Sequence, residues 1–298
     1  MLNVIERSKA RMGLRELIAA AAKRLTAAGV ASPRHDAEVL AAHLLGVTRG
    51  ELQLQPDPTD AFVKEYDAAV RRRADREPLQ HITGVAHFRH VTVRVGPGVF
   101  VPRPETELVA GAAIEAARGV VAAGRTPLVA DLFAGSGAIA LAVADEVPAA
   151  QVHAVEADDG AVEWLRRNAE STSVIVHDAD VDGCLPEMDG RLDVVVANPP
   201  YIPTGATIRD PEVAAHDPAA ALWSGADGLD AMRVLERTAA RLLRPGGLLI
   251  AEHADVQGDA APGVFQQTGR WSNVEDHLDL AGRPRYVTAN LTTATEHA

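Results

Sequence analysis

The sequence predicts an α/β fold: a mainly parallel sheet with helices on both faces, preceded by a small all-helical region. Three observations carry this. From Pro104 onward, short apolar runs alternate with helix-length segments, the pattern of strands joined by crossover helices. Residues 1–75 show helical spacing only. Charge is also uneven: residues 1–75 hold 12 Lys/Arg and 10 Asp/Glu, whereas the whole 298-residue chain holds 29 and 41, for a formal charge of −12.

In the first region, Leu14, Leu17, Ile18, Ala21 and Leu25 share a helix face that stops at Gly29. Ser32 and Pro33 read as the cap and first residue of a second helix, with Val39, Leu40, His43 and Leu44 on its apolar face and Gly46 at its end. A third helix, from about Thr59, places Phe62, Val63, Tyr66, Ala69 and Val70 together. Its last turn carries Arg71, Arg72 and Arg73, read as a solvated helix end that suits the helix dipole.

Residues 76–103 read as a β-hairpin connector, because Pro78 stops the helical pattern, Leu79–Thr83 ends at Gly84, and Val91, Val93 and Val95 alternate with polar residues. Residues 104–298 form the larger domain. Pro104, Glu105 and Glu107 open its first helix. The strands are LVADL (128–132), QVHAVE (151–156), SVIV (173–176), LDVVVA (192–197) and LLIAE (248–252), the last preceded by a helix over about 226–243 and by Pro245-Gly246-Gly247. NVEDHLDL and RYVTANL, joined by Ala281-Gly282-Arg283-Pro284, form a terminal antiparallel pair.

Composition excludes several function classes. One cysteine, Cys184, rules out an internal disulfide framework and a cysteine-only zinc site within the chain. No apolar run reaches the roughly 18 residues of a membrane span. The opening MLNVIERSKARMG is too charged for a signal peptide, so the expected location is cytoplasmic. The acidic balance argues against direct gripping of nucleic acid, whose phosphates call for a basic face. His81, His87 and His90 lie in the connector without nearby cysteines, and no metal is expected there. Cys184 reads as a small buried residue. His253 follows a strand without an evident paired acid.

Two places carry chemistry. The turn after LVADL contains Gly135 and Gly137, which let backbone approach a ligand, and the helix behind it offers free N–H groups. Glu156, at the end of the next strand, is placed to accept ribose hydroxyls. Asp180, with Asp178 as its rival, follows the third strand and could receive an adenine amine. A nicotinamide enzyme would show much the same pattern. The sharper feature is Asn198-Pro199-Pro200-Tyr201 directly after an apolar strand. Two prolines fix the backbone there, Asn198 presents an amide oxygen, and Tyr201 presents a flat ring; this set suits a planar group bearing an NH2.

Asp-X-X-X-Gly-X-Gly with Asn-Pro-Pro-Tyr resembles the pattern of S-adenosylmethionine-dependent N-methyltransferases. The segments Pro78-Leu79-Gln80-His81-Ile82-Thr83-Gly84, Val101-Pro102-Arg103-Pro104-Glu105-Thr106-Glu107, Asn198-Pro199-Pro200-Tyr201-Ile202 and Asp279-Leu280-Ala281-Gly282-Arg283 resemble the release-factor glutamine methyltransferases. The likeness runs from about Pro78 to the C-terminus, with a matching helical region before it. It implies a Rossmann-like methyltransferase sheet and a helical domain that docks the substrate, class I peptide-chain release factors. It also implies S-adenosyl-L-methionine held by Phe133, Ala134, Gly135, Ser136, Gly137, Glu156, Asp180, Val181 and Asn198. Asn198, Pro199, Pro200 and Tyr201 would bind the glutamine amide, with Asn198, Pro199 and Tyr201 catalytic. The family usually reads Asp-Leu-Gly-Thr-Gly-Ser-Gly at the first loop; here Phe133 and Ala134 replace Gly-Thr, and Asp217-Pro218 stands for Glu-Pro. The Asn-Pro-Pro-Tyr motif is shared with adenine-N6 methyltransferases of DNA or RNA, which leaves that alternative, and a binding module without catalysis is a second.

Overall fold

The computed structural model describes residues 12–293. They divide into two compact units: residues 12–84 with Asp210–His216, and Val85–Arg209 with residues 217–293.

The first unit contains α1 (Leu14–Ala27), α2 (Pro33–Leu45), α3 (Asp60–Ala74), α4 (Leu79–Thr83) and the short α8 (Pro211–His216). Leu14, Ile18, Ala21 and Leu25 of α1 are buried, as their spacing predicts. On α2 the buried face is rotated from the expected one. Asp36, Ala37, Leu40, Ala41 and Ala42 face the core, whereas His43 is exposed and Val39 and Leu44 are half-buried. The small alanines let neighbouring helices approach, and Tyr66 of α3 donates its hydroxyl to the Ala37 carbonyl at 2.9 Å.

The arginine run is not uniformly solvated. Arg71 and Arg72 are exposed, but Arg73 lies on the Tyr66–Val70 face and is buried. Its guanidinium meets Asp36 at 2.7 Å and Glu212 of α8 at 2.8 Å. A buried charge of this kind is tolerated only when it is paired. Leu79–Thr83, expected in a hairpin, is helical instead: the Pro78 carbonyl accepts the His81 and Ile82 N–H groups, and Leu79 and Ile82 pack on the helical core.

The second unit begins with an antiparallel hairpin, β1 (Val85–Phe88) and β2 (Val91–Arg94). Next come α5 (Thr106–Ala122), β3 (Leu128–Leu132), α6 (Ala138–Glu146), β4 (Gln151–Glu156), α7 (Asp159–Ala169), β5 (Ile175–Asp178) and β6 (Leu192–Ala197). α9 (Asp230–Leu242), β7 (Leu243–Glu252), α10 (Ala260–Gln266), β8 (Trp271–Leu278) and β9 (Pro284–Leu291) complete it. The seven-stranded sheet has the order β5-β4-β3-β6-β7-β9-β8; β9 and β8 are antiparallel and the rest parallel.

Alternation along the strands builds two cores. Val194 and Val196 of β6 pack with α5, α6 and α7, while Val195 and Ala197 pack with α9 and α10. β5 starts two residues later than its apolar run, because Ser171–Val174 form a turn and pairing with β4 begins at His153–Ile175. α9 starts at Asp230 rather than about 226, because Asp227 accepts the Leu229 N–H and Ser224 accepts the Ala231 N–H ahead of the first turn. β7 extends back through Pro245-Gly246-Gly247 to Leu243. Among the described residues no helix is long and apolar enough to cross a membrane.

Candidate active site

The sheet order reverses between β3 and β6. From β3 the chain proceeds outward to β4 and β5, and from β6 it proceeds the other way to β7. Ligands of open α/β sheets bind at the carboxyl ends of strands at such a switch. Register brings the predicted residues level there: Leu132 pairs with both Val155 and Ala197, and Glu156 pairs with Asp178.

The loop after β3 has positive φ at Phe133 (62°), Gly135 (55°) and Gly137 (84°). Alternation of this kind turns successive N–H groups into one concavity. Ala134 closes it, donating to the Val155 carbonyl and accepting from Gly137. The Ser136 carbonyl accepts the Asn168 side chain. The two glycines serve different needs. A Cβ on Gly135 would meet open space, whereas on Gly137 it would lie 2.6 Å from Leu165 Cδ1. Gly137 therefore permits helix packing, not only ligand approach. Phe133 adopts the left-handed conformation that the family's glycine would take freely, and its ring packs on the core beneath α9 and α10.

Glu156 is half-buried and braces this loop. Its Oε2 accepts the Gly135 N–H at 2.8 Å, and its Oε1 accepts those of Ala157 and Asp158. Asp131 is buried, with Oδ2 on the Ala140 N–H and Oδ1 without a partner; burial pushes its carboxyl up to about 8. At the end of β5 the two rival aspartates differ. Asp178 is held by Arg166 at 2.9 Å, whereas Asp180 is exposed and commits one oxygen to the Asp182 N–H. The Val181 side chain is in the core, so its backbone is what it can offer a ligand.

Asn198 leaves β6 half-buried, followed by buried Pro199 and half-buried Pro200 and Tyr201. Its Nδ2 donates to Thr106 Oγ1 at 3.3 Å, which leaves Oδ1 as an acceptor. The Tyr201 carbonyl is held by Gln257 at 3.2 Å, and Ile202 bridges to Trp223, so the segment beyond the motif is pinned on two sides. Arg103 pairs with the buried Asp217 at 2.9 Å, joining two of the segments singled out in the sequence.

Two charged residues of this region, Glu252 and Arg285, were not singled out by sequence. Glu252, the last residue of β7, is 1% exposed, and burial pushes its carboxyl up to about 7. Arg285 lies near it and is held by Asp279, whose carboxyl falls to about 2 under backbone hydrogen bonds from Arg283 and Ala281 and the Arg285 guanidinium. Burial likewise raises the Tyr201 hydroxyl above its ordinary value. His253 does have a paired acid: its Nε2 lies 2.9 Å from Asp276 on β8, 23 residues away in sequence. Cys184 is buried, and burial pushes its thiol up to about 11.

Residues 16–84 match the PrmC N-terminal domain, and residues 106–213 match the methyltransferase small domain. The chain is 54% identical to a release factor glutamine methyltransferase of Streptomyces coelicolor, covering 91% of this chain and 96% of that one. It is 48% identical to the protein of that name in Mycolicibacterium smegmatis, covering 93% and 97%. It is also 42% identical, over 92% of each chain, to a 4-amino-L-phenylalanine/4-methylamino-L-phenylalanine methyltransferase of Streptomyces pristinaespiralis. With such identity across nearly its whole length, the chain belongs to the release factor glutamine methyltransferase family.

Proposed function

We infer that this protein transfers the methyl group of S-adenosylmethionine to the side-chain nitrogen of a glutamine in class I peptide-chain release factors. The observation that carries the reading is the tethered Asn198 amide beside the loop after β3. A glutamine amide is a poor nucleophile, because its nitrogen lone pair is delocalised into the carbonyl. Asn198 Oδ1 and the Pro199 carbonyl accept its two N–H groups, aim the nitrogen and favour positive charge developing on it. Tyr201 packs on the amide plane.

The residues present fit the cofactor. Gly135 faces open space, and the unpartnered Asp131 Oδ1 calls for a donor such as an ammonium group. Loop 133–137, Glu156, Asp180 and the Val181 backbone would hold it, with Asp180 favoured over Asp178 because Arg166 already occupies the latter. S-adenosylmethionine supplies the electrophilic sulfonium methyl. Residues 1–75 would dock the release factor, since one glutamine side chain cannot identify a protein.

Transfer of labelled methyl from S-adenosylmethionine to a purified class I release factor tests the reading. Duplex DNA and 4-amino-L-phenylalanine serve as competing acceptors, the latter because of the Streptomyces pristinaespiralis relative. Label on the release factor alone is the expected result. Label on either competitor in its place would overturn the assignment.

A further inference from the structure

We propose that Gln257 is a positioning residue for methyl transfer, its side-chain amide fixing the Tyr201 backbone and so the ring that packs on the substrate amide. The proposal rests on the glutamine-methylating reading and adds a residue to it. The segment Asn198-Pro199-Pro200-Tyr201 has to be held from outside, because its two prolines have no N–H to donate. At its start, Asn198 is tied to Thr106 of α5. At its end, the Tyr201 carbonyl accepts from Gln257 Nε2 at 3.2 Å. Gln257 closes the short 3-10 turn Asp255–Gln257 that follows β7.

The neighbours of the Gln257 amide set its direction. Oε1 accepts the Ala254 N–H at 3.0 Å. Nε2 faces three carbonyls, those of Tyr201, of Gly228 at 3.3 Å and of Asp227 at 3.5 Å. A flipped amide would set its NH2 against an N–H and its oxygen against three carbonyl oxygens. Gln257 is buried, so water cannot make good such a mismatch.

The turn that carries Gln257 is itself anchored. The His253 ring lies 2.9 Å from the Ala254 carbonyl through Nδ1 and 2.9 Å from Asp276 of β8 through Nε2. The same Ala254 carbonyl accepts the Gln257 N–H. Gly228, just ahead of α9, lets the chain pass close on the other side. Its φ is 78°, and a Cβ there would collide with the Tyr201 carbonyl oxygen and Gln257 Nε2. One amide therefore joins the end of β7, the approach to α9 and the motif after β6. An apolar side chain of similar length would fill the space without holding the Tyr201 carbonyl.

The test uses the full chain with Gln257→Glu and Gln257→Met. Glutamate keeps the acceptor for the Ala254 N–H but, when ionised, loses the donors; once protonated it regains one. Methionine has neither at any pH. At pH 8 both variants should lower kcat for release factor methylation about tenfold or more, with KM for release factor and S-adenosylmethionine affinity within about threefold of wild type. Relative to wild type at each pH, Gln257→Glu should recover as pH falls and Gln257→Met should not. Circular dichroism checks that each variant is folded under assay conditions. Fluorotyrosine labelling reads the ring directly: the chain has three tyrosines, so the Tyr201 fluorine signal is assigned by its absence in Tyr201→Phe. That signal should shift or broaden in Gln257→Glu at pH 8, return toward its wild-type position at lower pH, and stay displaced in Gln257→Met, while those of Tyr66 and Tyr286 hold still. A Tyr201 signal indifferent to both substitutions, or folded variants with wild-type kcat at pH 8, would overturn the positioning role. If wild type fails to methylate release factor, the functional reading falls, while the fluorine signal still decides whether Gln257 positions Tyr201.

Discussion

Glu156 commits both carboxylate oxygens to the loop it is expected to share with a ligand, accepting three backbone N–H groups. Charge-assisted bonds of this kind are worth roughly 1.5–3 kcal/mol each. Glu156→Ala should therefore weaken S-adenosylmethionine binding at least about tenfold by calorimetry, both by removing a ribose acceptor and by releasing the Gly135 N–H. Asn198→Ala should lower turnover about 10²-fold with little change in cofactor affinity, as expected when one preorganised acceptor is lost from a transition state. Glu252 makes stability depend on pH. Its carboxyl is raised to about 7 in the fold from an ordinary 4.5, so protonation favours the folded state. That contribution is fully present below about pH 4.5 and is lost as pH rises through about 7. Glu252→Gln should consequently match wild type near pH 4.5 but exceed it at pH 8, by on the order of 1–3 kcal/mol in urea unfolding.

The loop after β3 combines strain with packing. Phe133 sits in the left-handed region, at a cost of about 1–2 kcal/mol, while its ring is packed against the core. Phe133→Ala keeps the strained backbone and loses the ring; Phe133→Gly loses the ring but relieves the strain. Thermal unfolding should rank wild type first, Gly second and Ala last, and an alanine variant more stable than the glycine one would contradict this account. The strands of this unit were legible as apolar runs bounded by Gly and Pro, and the Asn198–Tyr201 motif was legible because its residues are contiguous. Leu79–Thr83 was not, since one turn of helix offers only an i, i+3 apolar pair. Arg73 was misread because three arginines in a last turn look alike until the side that meets Asp36 is known. Glu252 and Arg285 belong to β7 and β9, far in sequence from the Asn198 motif, and nothing in a sequence shows that a carboxylate is 1% exposed.

Two units of unlike charge and architecture make up the molecule. We propose that they divide the labour, the helical one recognising the protein substrate and the sheet carrying the chemistry. A truncated chain beginning at Val85, the first residue of the second unit, should keep S-adenosylmethionine affinity within about threefold while losing most methylation of intact release factor. Circular dichroism would confirm that the truncated chain folds, and equal efficiency with the full chain would remove the docking role. The claim on which everything else depends is that an Asn198-held glutamine nitrogen receives the methyl group. Fragment mass spectrometry of a class I release factor, incubated with S-adenosylmethionine and either wild type or Asn198→Ala, tests it most directly. The expected result is a single methyl group on the side-chain nitrogen of one glutamine with wild type and almost none with the variant. A methyl group on another residue type, or equal modification by both proteins, would contradict it.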